Sequence, residues 1–431
     1  MHPILFRIPL PGWNLPWLGP ITSLPIYSYG VMLGLSIVIG WYLTLGLAER
    51  DGMPRNELEN CYVVTAVAAV IASRLLYVVT NLDEFHSFSD VLAIRRGGMV
   101  AYGGFIGGFV GSYVYLKRRG LPLLPWADVA VPSLAIGLFI TRIGCYLFGC
   151  DFGKPLPEGA PQLLKSLGTF PHWPEGLVDR GSGSAAWAQH YERHLVSADA
   201  ASSLPVHPTQ IYESLTGLAL FGIVLLVRDH QKFRGQVFLT FTFLYGFARY
   251  LLEILRDDAE RGEYGPQMAE HVIVPGVLLI AGIAYIVRMA RMFERIELRV
   301  LTQVLVLVPP VLLFLKLRPE SFAGSQTVRL STSQWVAAIT ATAAAIAFGL
   351  FWDAAKAHPE RAMAIDLPVA APATPPGAAA RPVDDDGQPA VPAAATRKKR
   401  KKSKAQKPPT KQETAVEDDA SEPGSGASEP G

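Results

Sequence analysis

Nine stretches of this chain are apolar over roughly the twenty residues that a helix needs to cross a hydrocarbon layer. They run at about 26–47, 59–79, 98–116, 126–148, 207–227, 236–255, 272–289, 300–315 and 335–351. Lipid offers no water to satisfy backbone N–H and C=O groups, so such stretches are confined to helices. Half of the residues are hydrophobic, which excludes a soluble domain. The expected class is an all-α polytopic membrane protein. The eighth stretch is short and carries Pro309-Pro310, so it is the weakest of the nine.

The connections alternate in charge. One set holds Lys117-Arg118-Arg119, then Arg228, Lys232 and Arg234, then Arg288, Arg291, Arg295 and Arg299. The other holds Asp83-Glu84 and Asp257-Asp258-Glu260. The positive-inside rule puts the first set in the cytoplasm, the N-terminus outside and the C-terminus inside. Residues 1–25 then form an external interfacial segment, with Trp13 and Trp17 at headgroup level. They lack the basic start and apolar core of a cleavable signal peptide. Residues 26–292 hold the first seven spans, and 151–205, rich in Gly, Pro, Ser and Trp, form a small external head domain. Residues 293–353 add further transmembrane helices. From 354 to 431 the composition turns to Ala, Pro, Asp and Lys, which cannot bury a core and predicts a disordered cytoplasmic tail. Its basic run at 397–404 would be drawn to anionic lipid.

Several residues do not belong in lipid. Arg142 sits in the last turns of the fourth span, within Thr141-Arg142-Ile143-Gly144-Cys145-Tyr146-Leu147-Phe148-Gly149-Cys150-Asp151. An arginine at the bilayer centre costs about 3 kcal/mol on insertion scales. Snorkelling to the headgroups would account for one such residue. Arg74, Tyr77 and Asn81 share a helical face in the second span. Tyr102 lies among Gly97-Gly98 and Gly103-Gly104, followed by Gly107, Gly108 and Gly111, whose spacing permits close helix approach. His207-Pro208-Thr209-Gln210-Ile211-Tyr212-Glu213 opens the fifth span, with Pro208 suited to a first helical turn. Tyr245, Arg249, Glu253 and Arg256 make one polar stripe on the sixth, and Arg249 can pair with Glu253.

In the topology above, Tyr29, Arg74, Tyr102, Arg142, His207 and Arg249 all lie toward the outer leaflet. Independent snorkelling would place arginines at either face, so the shared level argues for one site. Arginines with tyrosines at membrane depth suit an anionic phospholipid headgroup, because guanidinium matches phosphate oxygens in a planar fork. No Cys/His/carboxylate spacing of a metal site recurs, and there is no nucleotide-binding glycine loop. Neither a metal nor another cofactor is expected, and no nucleic-acid partner. The three cysteines, Cys61, Cys145 and Cys150, are too few for a disulfide framework. On these residues alone, an enzyme acting on a phospholipid-like anion and a carrier of one both stand. A carrier would show paired halves with broken helices at the midplane, and no such internal symmetry is present.

The motif order resembles the bacterial prolipoprotein diacylglyceryl transferases. The matching pieces are Ser28-Tyr29-Gly30, Arg74 with Tyr77, Gly97-Gly98-Met99 with Gly103-Gly104, and Arg142-Ile143-Gly144 with Gly149. The His207–Glu213 run follows, then Tyr245-Gly246 with Arg249, Glu253 and Arg256. The resemblance covers roughly 26–291 and implies a seven-span transferase core; the last two spans and the tail are extra. It implies transfer of the diacylglyceryl group of phosphatidylglycerol to the lipobox cysteine of a preprolipoprotein signal peptide, at the bacterial inner membrane and among membrane lipids. Arg142 and Arg249 would hold the headgroup phosphate, and Glu253 would orient Arg249. Tyr29, Gln210, Tyr212, Gly103, Gly104, Gly144 and Arg256 would line the substrate site, with Arg74 in support. Many family members carry histidine before the Gly103-Gly104 pair, where this chain has Tyr102. Tyr102 would then serve as a hydrogen-bond donor, with the base supplied elsewhere, for example by His207. Two further departures are Tyr27, where arginine is frequent, and Cys145, where asparagine is common.

Overall fold

Each apolar stretch becomes one long helix in the computed structural model, which describes residues 1–15, 19–92, 98–173, 183–257 and 262–367. Two strands, β1 (Ile4–Leu15) and β2 (Gly19–Tyr27), precede α1 (Ser28–Arg50) and α2 (Arg55–Thr80). A short α3 (Phe88–Leu92) leads to α4 (Ala101–Arg119) and α5 (Leu123–Phe148). The segment after α5 carries α6 (Gln162–Leu167) and α7 (Ala185–Glu192) before α8 (Thr209–Asp229) and α9 (Gln236–Leu255). Strand β3 (Glu263–Ala269) enters α10 (Glu270–Ala284), whose span runs on through a π-helical turn (Tyr285–Met289) and a 3-10 turn (Ala290–Met292), and α11 (Ile296–Leu317) follows. Strand β4 (Thr327–Ser331) enters α12 (Thr332–Ala357), and α13 (Pro359–Ala362) closes the described chain.

Eight of the nine long helices among the described residues are long and apolar enough to cross a membrane. The exception is α4, whose glycines and basic last turn dilute its hydropathy. Its glycines serve packing. A Cβ on Gly103, Gly107 or Gly111 would collide with Ala72, Ala68 or both across the interface with α2. The four-residue spacing of those glycines therefore lays α4 flat against α2, as small-residue faces do in membranes. Gly98, with φ of +81°, turns the chain over the Tyr77 ring just before α4. Gly97 lies outside the described residues.

Helix α5 is the hub, packed on α1, α8 and α9. Close approach is again set by glycine: Gly144 of α5 faces the Tyr29 Cα and Met32 of α1, and Gly217 of α8 faces the backbone of Phe139 and Ala135. At the basic end of the bundle, Asp51 accepts ion pairs from Arg228 (2.6 Å) and Arg234 (2.7 Å). Asp128 accepts from the N–H groups of Gly235 and Phe238, satisfying orphan donors at the start of α9.

Three features were absent from the span pattern. The N-terminal segment is a strand pair, with Ile4 opposite Tyr27 and Leu15 opposite Gly19, pinned to α1 where Ser28 N–H donates to the Pro3 carbonyl at 2.9 Å. Only the backbone of Trp13 is described, opposite Ile21, and Trp17 lies outside the described residues. Secondly, α12 is not peripheral. It packs along α9 and α10, and β4 pairs antiparallel with β3. Thirdly, the change of composition at Ala354 falls inside the last turn of α12, and ordered contacts continue to Ile365. The charged tail from 368 onward lies outside the described residues, as do Asp258 and Glu260.

Gly107→Val is expected to force α2 and α4 apart and to destabilise the protein by about 1–3 kcal/mol, the cost of overpacking. Thermal unfolding in detergent reads the effect, and Gly222→Val, at a glycine with open space around it, is the control.

Candidate functional site

The C-terminal turns of α5 and α9 and the first turns of α8 meet at one end of the bundle. Helix α5 ends at Gly149, which adopts φ of +81° and donates its N–H to the Cys145 carbonyl at 2.8 Å, the left-handed cap that favours glycine. Asp151 follows with φ of +59°, a conformation that aspartate tolerates better than most residues. This turn aims the Asp151 carboxylate back at the helix end. Its backbone is fastened to α8, where Thr209 Oγ1 donates to the Asp151 carbonyl and Gln210 Nε2 to the Cys150 carbonyl, both at 2.5 Å.

Three arginines and three carboxylates interlock here. Glu213 of α8 lies 2.5 Å from Arg142 Nε through one oxygen and 3.1 Å from Arg249 Nη1 through the other. Arg256 Nη1 approaches the same Glu213 carboxylate at 3.7 Å. Glu253 pairs with Arg249 at 2.8 Å, one turn along α9. Asp151 bridges Arg142 (2.6 Å) and Arg256 (2.5 Å). Glu213 and Glu253 are almost wholly buried, whereas Arg142 and Arg249 keep 18% and 14% of their side chains exposed. Arg142 Nη2 and Arg249 Nε make no hydrogen bond among the described residues. The arrangement therefore holds two guanidiniums by one carboxylate and leaves a donor of each available to an anion.

Other expected site residues surround this cluster at different distances. Tyr29 stands beside Arg142, Cys145 and Cys150, and Tyr245 beside Arg249, Glu213 and Arg142. Tyr102 donates its hydroxyl to Ser333 Oγ at 2.8 Å, and the same oxygen accepts from Arg249 Nη2 at 3.4 Å. Gln210 is fully buried, and its Oε1 has no partner among the described residues. His207 and Tyr212 face each other at 3.4 Å, and no hydrogen bond or ion pair joins them to the arginines among the described residues. Burial, with Lys316 and Lys154 nearby, lowers the His207 pKa below its ordinary value.

Arg74 is not brought into the cluster. It donates to the carbonyls of Val91 (2.9 Å), Gly98 (2.8 Å) and Asp90 (2.7 Å), and lies against the Phe85 and Tyr77 rings. It thus fixes the backbone that leads into α4 and Tyr102. Gly103 and Gly144 are committed to helix packing, and Gly104 has nearest neighbours at 3.8 Å or beyond.

Sequence reasoning gave no role to Glu213, Asp151, Ser331 or Ser333. Glu213 was visible as the last residue of the His-Pro-Thr-Gln-x-Tyr-Glu run. Ser331 with Gln334 forms a capping box that marks the start of the last apolar run, a signal for a helix start and not for a site, and Ser333 carries no such signal. Cys145, Cys150 and Asp151 bring their ligand-type atoms within 4.8 Å of one another. That grouping suits a cation poorly, because Arg142 and Arg256 already occupy Asp151. All three cysteines are free thiols, and a neighbouring Cys145 together with burial raises the Cys150 pKa well above its ordinary value.

A bundle of apolar helices that gathers arginines around buried carboxylates at one end defines a polytopic membrane protein with a charged cluster at that end. A family model for prolipoprotein diacylglyceryl transferase matches residues 16–288, and the chain belongs to that family of enzymes. Curated relatives agree. The phosphatidylglycerol–prolipoprotein diacylglyceryl transferase of Clostridium tetani is 29% identical over 243 residues, covering 56% of this chain and 86% of the relative. Those of Bacillus cereus and Bacillus anthracis are each 29% identical over 272 residues, covering 63% of this chain and 90% of the relative.

Burial pushes the Asp151 carboxyl up, but Arg142 and Arg256 outweigh it and hold it well below the usual carboxylate range. The resulting stabilisation is complete above the unfolded value of about 3.9 and is lost only as pH falls through the depressed folded value. Asp151→Asn is expected to destabilise the protein by about 2 kcal/mol, because two guanidiniums lose a charged partner. The drop in unfolding temperature should be the same at pH 7 and pH 5.

Proposed function

We propose that the arginine–carboxylate cluster is where this chain carries out its reaction. That reaction transfers the diacylglyceryl group of phosphatidylglycerol to the cysteine thiol of a prolipoprotein. A carbon–sulfur bond forms at the glyceryl carbon as its carbon–oxygen bond to phosphate breaks. The oxygen departs on glycerol phosphate, and the thiol proton passes to a base or to the departing phosphate. The observation that carries the proposal is the single Glu213 carboxylate between Arg142 and Arg249. It keeps two guanidiniums side by side with little of either side chain exposed, each with a nitrogen that makes no hydrogen bond among the described residues. Donors fixed before the reaction stabilise charge as it develops on the leaving phosphate. Nearby cations also favour the substrate thiolate, whose unperturbed pKa is about 8.5.

Around these arginines, Glu253, Glu213 and Asp151 act as orienting groups. Tyr29, Gln210, Tyr212 and Arg256 line the headgroup space, and Gly103, Gly104 and Gly144 allow the helices to close round it. Tyr102 serves as a donor, consistent with its hydrogen bond to Ser333. His207 is the candidate base; burial, with Lys316 and Lys154 nearby, favours its neutral form. The acceptor cysteine belongs to a lipobox signal peptide. The chain lies in the bacterial inner membrane with the site toward the outer leaflet, the N-terminus outside and the tail in the cytoplasm. Basic Lys117, Arg118 and Arg119 at the far end of α4 from Tyr102 support that orientation. Residues 26–292 form the transferase core, 151–205 its head, and 293–353 the additional helices.

Purified protein in nanodiscs, with phosphatidylglycerol and a lipobox peptide, should add a diacylglyceryl mass to the peptide, and a Cys→Ser peptide should gain none. Arg142→Ala and Arg249→Ala should each lower transfer at least about a hundredfold, the scale of losing a preorganised donor, while still inserting in membranes. Undiminished transfer by either variant would overturn the phosphate clamp. With His207 as base, the rate should fall as pH drops through the lowered imidazole value, and His207→Gln should remove that limb.

A further inference from the structure

The family match ends at residue 288, yet the structure carries two contacts from beyond it into the arginine cluster. Strand β4 pairs with β3, which follows closely on α9, with Glu263 opposite Ser331 and Ala269 opposite Thr327. That pairing delivers the start of α12 to the C-terminal turns of α9. There Ser331 caps α12 by accepting the Gln334 N–H, and donates its hydroxyl to Glu253 Oε1 at 2.9 Å. Ser333, two residues on, accepts from Tyr102 at 2.8 Å and from Arg249 at 3.4 Å. Below these contacts α12 runs tight on α9: a Cβ on Gly246 would lie 2.7 Å from the Ala337 carbonyl oxygen and 3.1 Å from the Ala341 Cβ.

We propose that the start of α12 is a working part of the transferase site, in which Ser333 positions Arg249 and Tyr102 together and Ser331 positions Glu253 against Arg249. This rests on the assignment of Arg249 to the phosphate clamp. Arg249 Nη1 is shared between Glu213 at 3.1 Å and Glu253 at 2.8 Å. Rotation of the guanidinium about that pivot is opposed by Ser333 on Nη2 and by Ser331 through Glu253. Both restraints come from outside the family-matched segment. Tyr102 spends its hydroxyl proton on the same Ser333. Tyr102 and the additional helix thus form one unit: a tyrosine reaches Ser333 as a donor, and Ser333 relays that contact to Arg249. A hydroxyl offers two lone pairs and one proton, so Ser333 accepts both hydrogen bonds at once. Because the restraint acts on the direction of a guanidinium, it bears on the transition state more than on lipid binding.

The test measures transfer to a lipobox peptide by purified full-length protein in phosphatidylglycerol nanodiscs. Ser333→Ala should lower kcat about tenfold with KM for the peptide little changed, the loss expected of one hydrogen bond to a charged group realised in the transition state. Ser333→Thr, which keeps the hydroxyl, should restore most of it. Tyr102→Phe and Ser333→Ala combined should lose no more than the larger single loss, since they break one connected unit. Thr340→Ala, an exposed position on α12, should leave transfer unchanged. Unfolding temperatures of all variants are measured alongside. Ser333→Ala at full kcat, or losses at Tyr102 and Ser333 that simply multiply, would overturn the positioning role. A wild type that transfers and an Arg249→Ala that does not would leave the clamp standing in that case. Absence of transfer by the wild type would instead remove the assignment of the cluster itself.

Discussion

Two guanidinium groups brought together under lipid repel each other unless a carboxylate stands between them. At 4 Å, a pair of unit charges interacts by about 4 kcal/mol in surroundings of intermediate dielectric. Glu213 meets that requirement for Arg142 and Arg249, and the rest of the bundle is arranged to let it. The carboxylate comes from α8, one arginine from α5 and the other from α9, so three helices must converge within a few ångströms. Gly217 lets α8 sit directly on the α5 backbone, and Gly144 lets α5 sit on α1. The turn at Gly149 and Asp151 then returns a second carboxylate to the same arginines. Removing any one of these close approaches separates charges that are tolerable only as a group.

The balance of three arginines against three carboxylates also explains how such a site can wait for its ligand. A bare trio of cations at this depth would be costly and would drag in water or counterions. Paired with Glu213, Glu253 and Asp151, the arginines are held in fixed directions. In the proposed reading, an incoming phosphate then meets donors that need not reorganise, a general source of electrostatic catalysis. The acceptor thiol arrives with the substrate, which fits a protein whose own cysteines sit in packed or loop positions as free thiols.

Around that cluster the structure separates supporting parts from contacting ones. Arg74 spends its guanidinium on three backbone carbonyls and so shapes the approach to α4. The glycines of α4 set its distance from α2, which in turn fixes where Tyr102 emerges. Helix α12, beyond the family-matched segment, supplies hydroxyls to Tyr102, Arg249 and Glu253.

The apolar runs by themselves determined that this chain is a bundle of membrane-crossing helices, because unsatisfied backbone in lipid leaves no other choice. The spacing of Arg249 and Glu253 determined their ion pair, because residues four apart on a helix must meet. The motif order also carried the family and its reaction. Only the tertiary structure decided that Glu213 is the shared partner of Arg142 and Arg249, that Asp151 turns back on the end of α5, and that Arg74 serves the backbone. Only it brought Ser331 and Ser333 to a site some eighty residues earlier in the chain. Those outcomes depend on which helix faces touch, and no local periodicity encodes a contact between helices. A charged residue in lipid announces that it needs a partner, but the partner is chosen by packing.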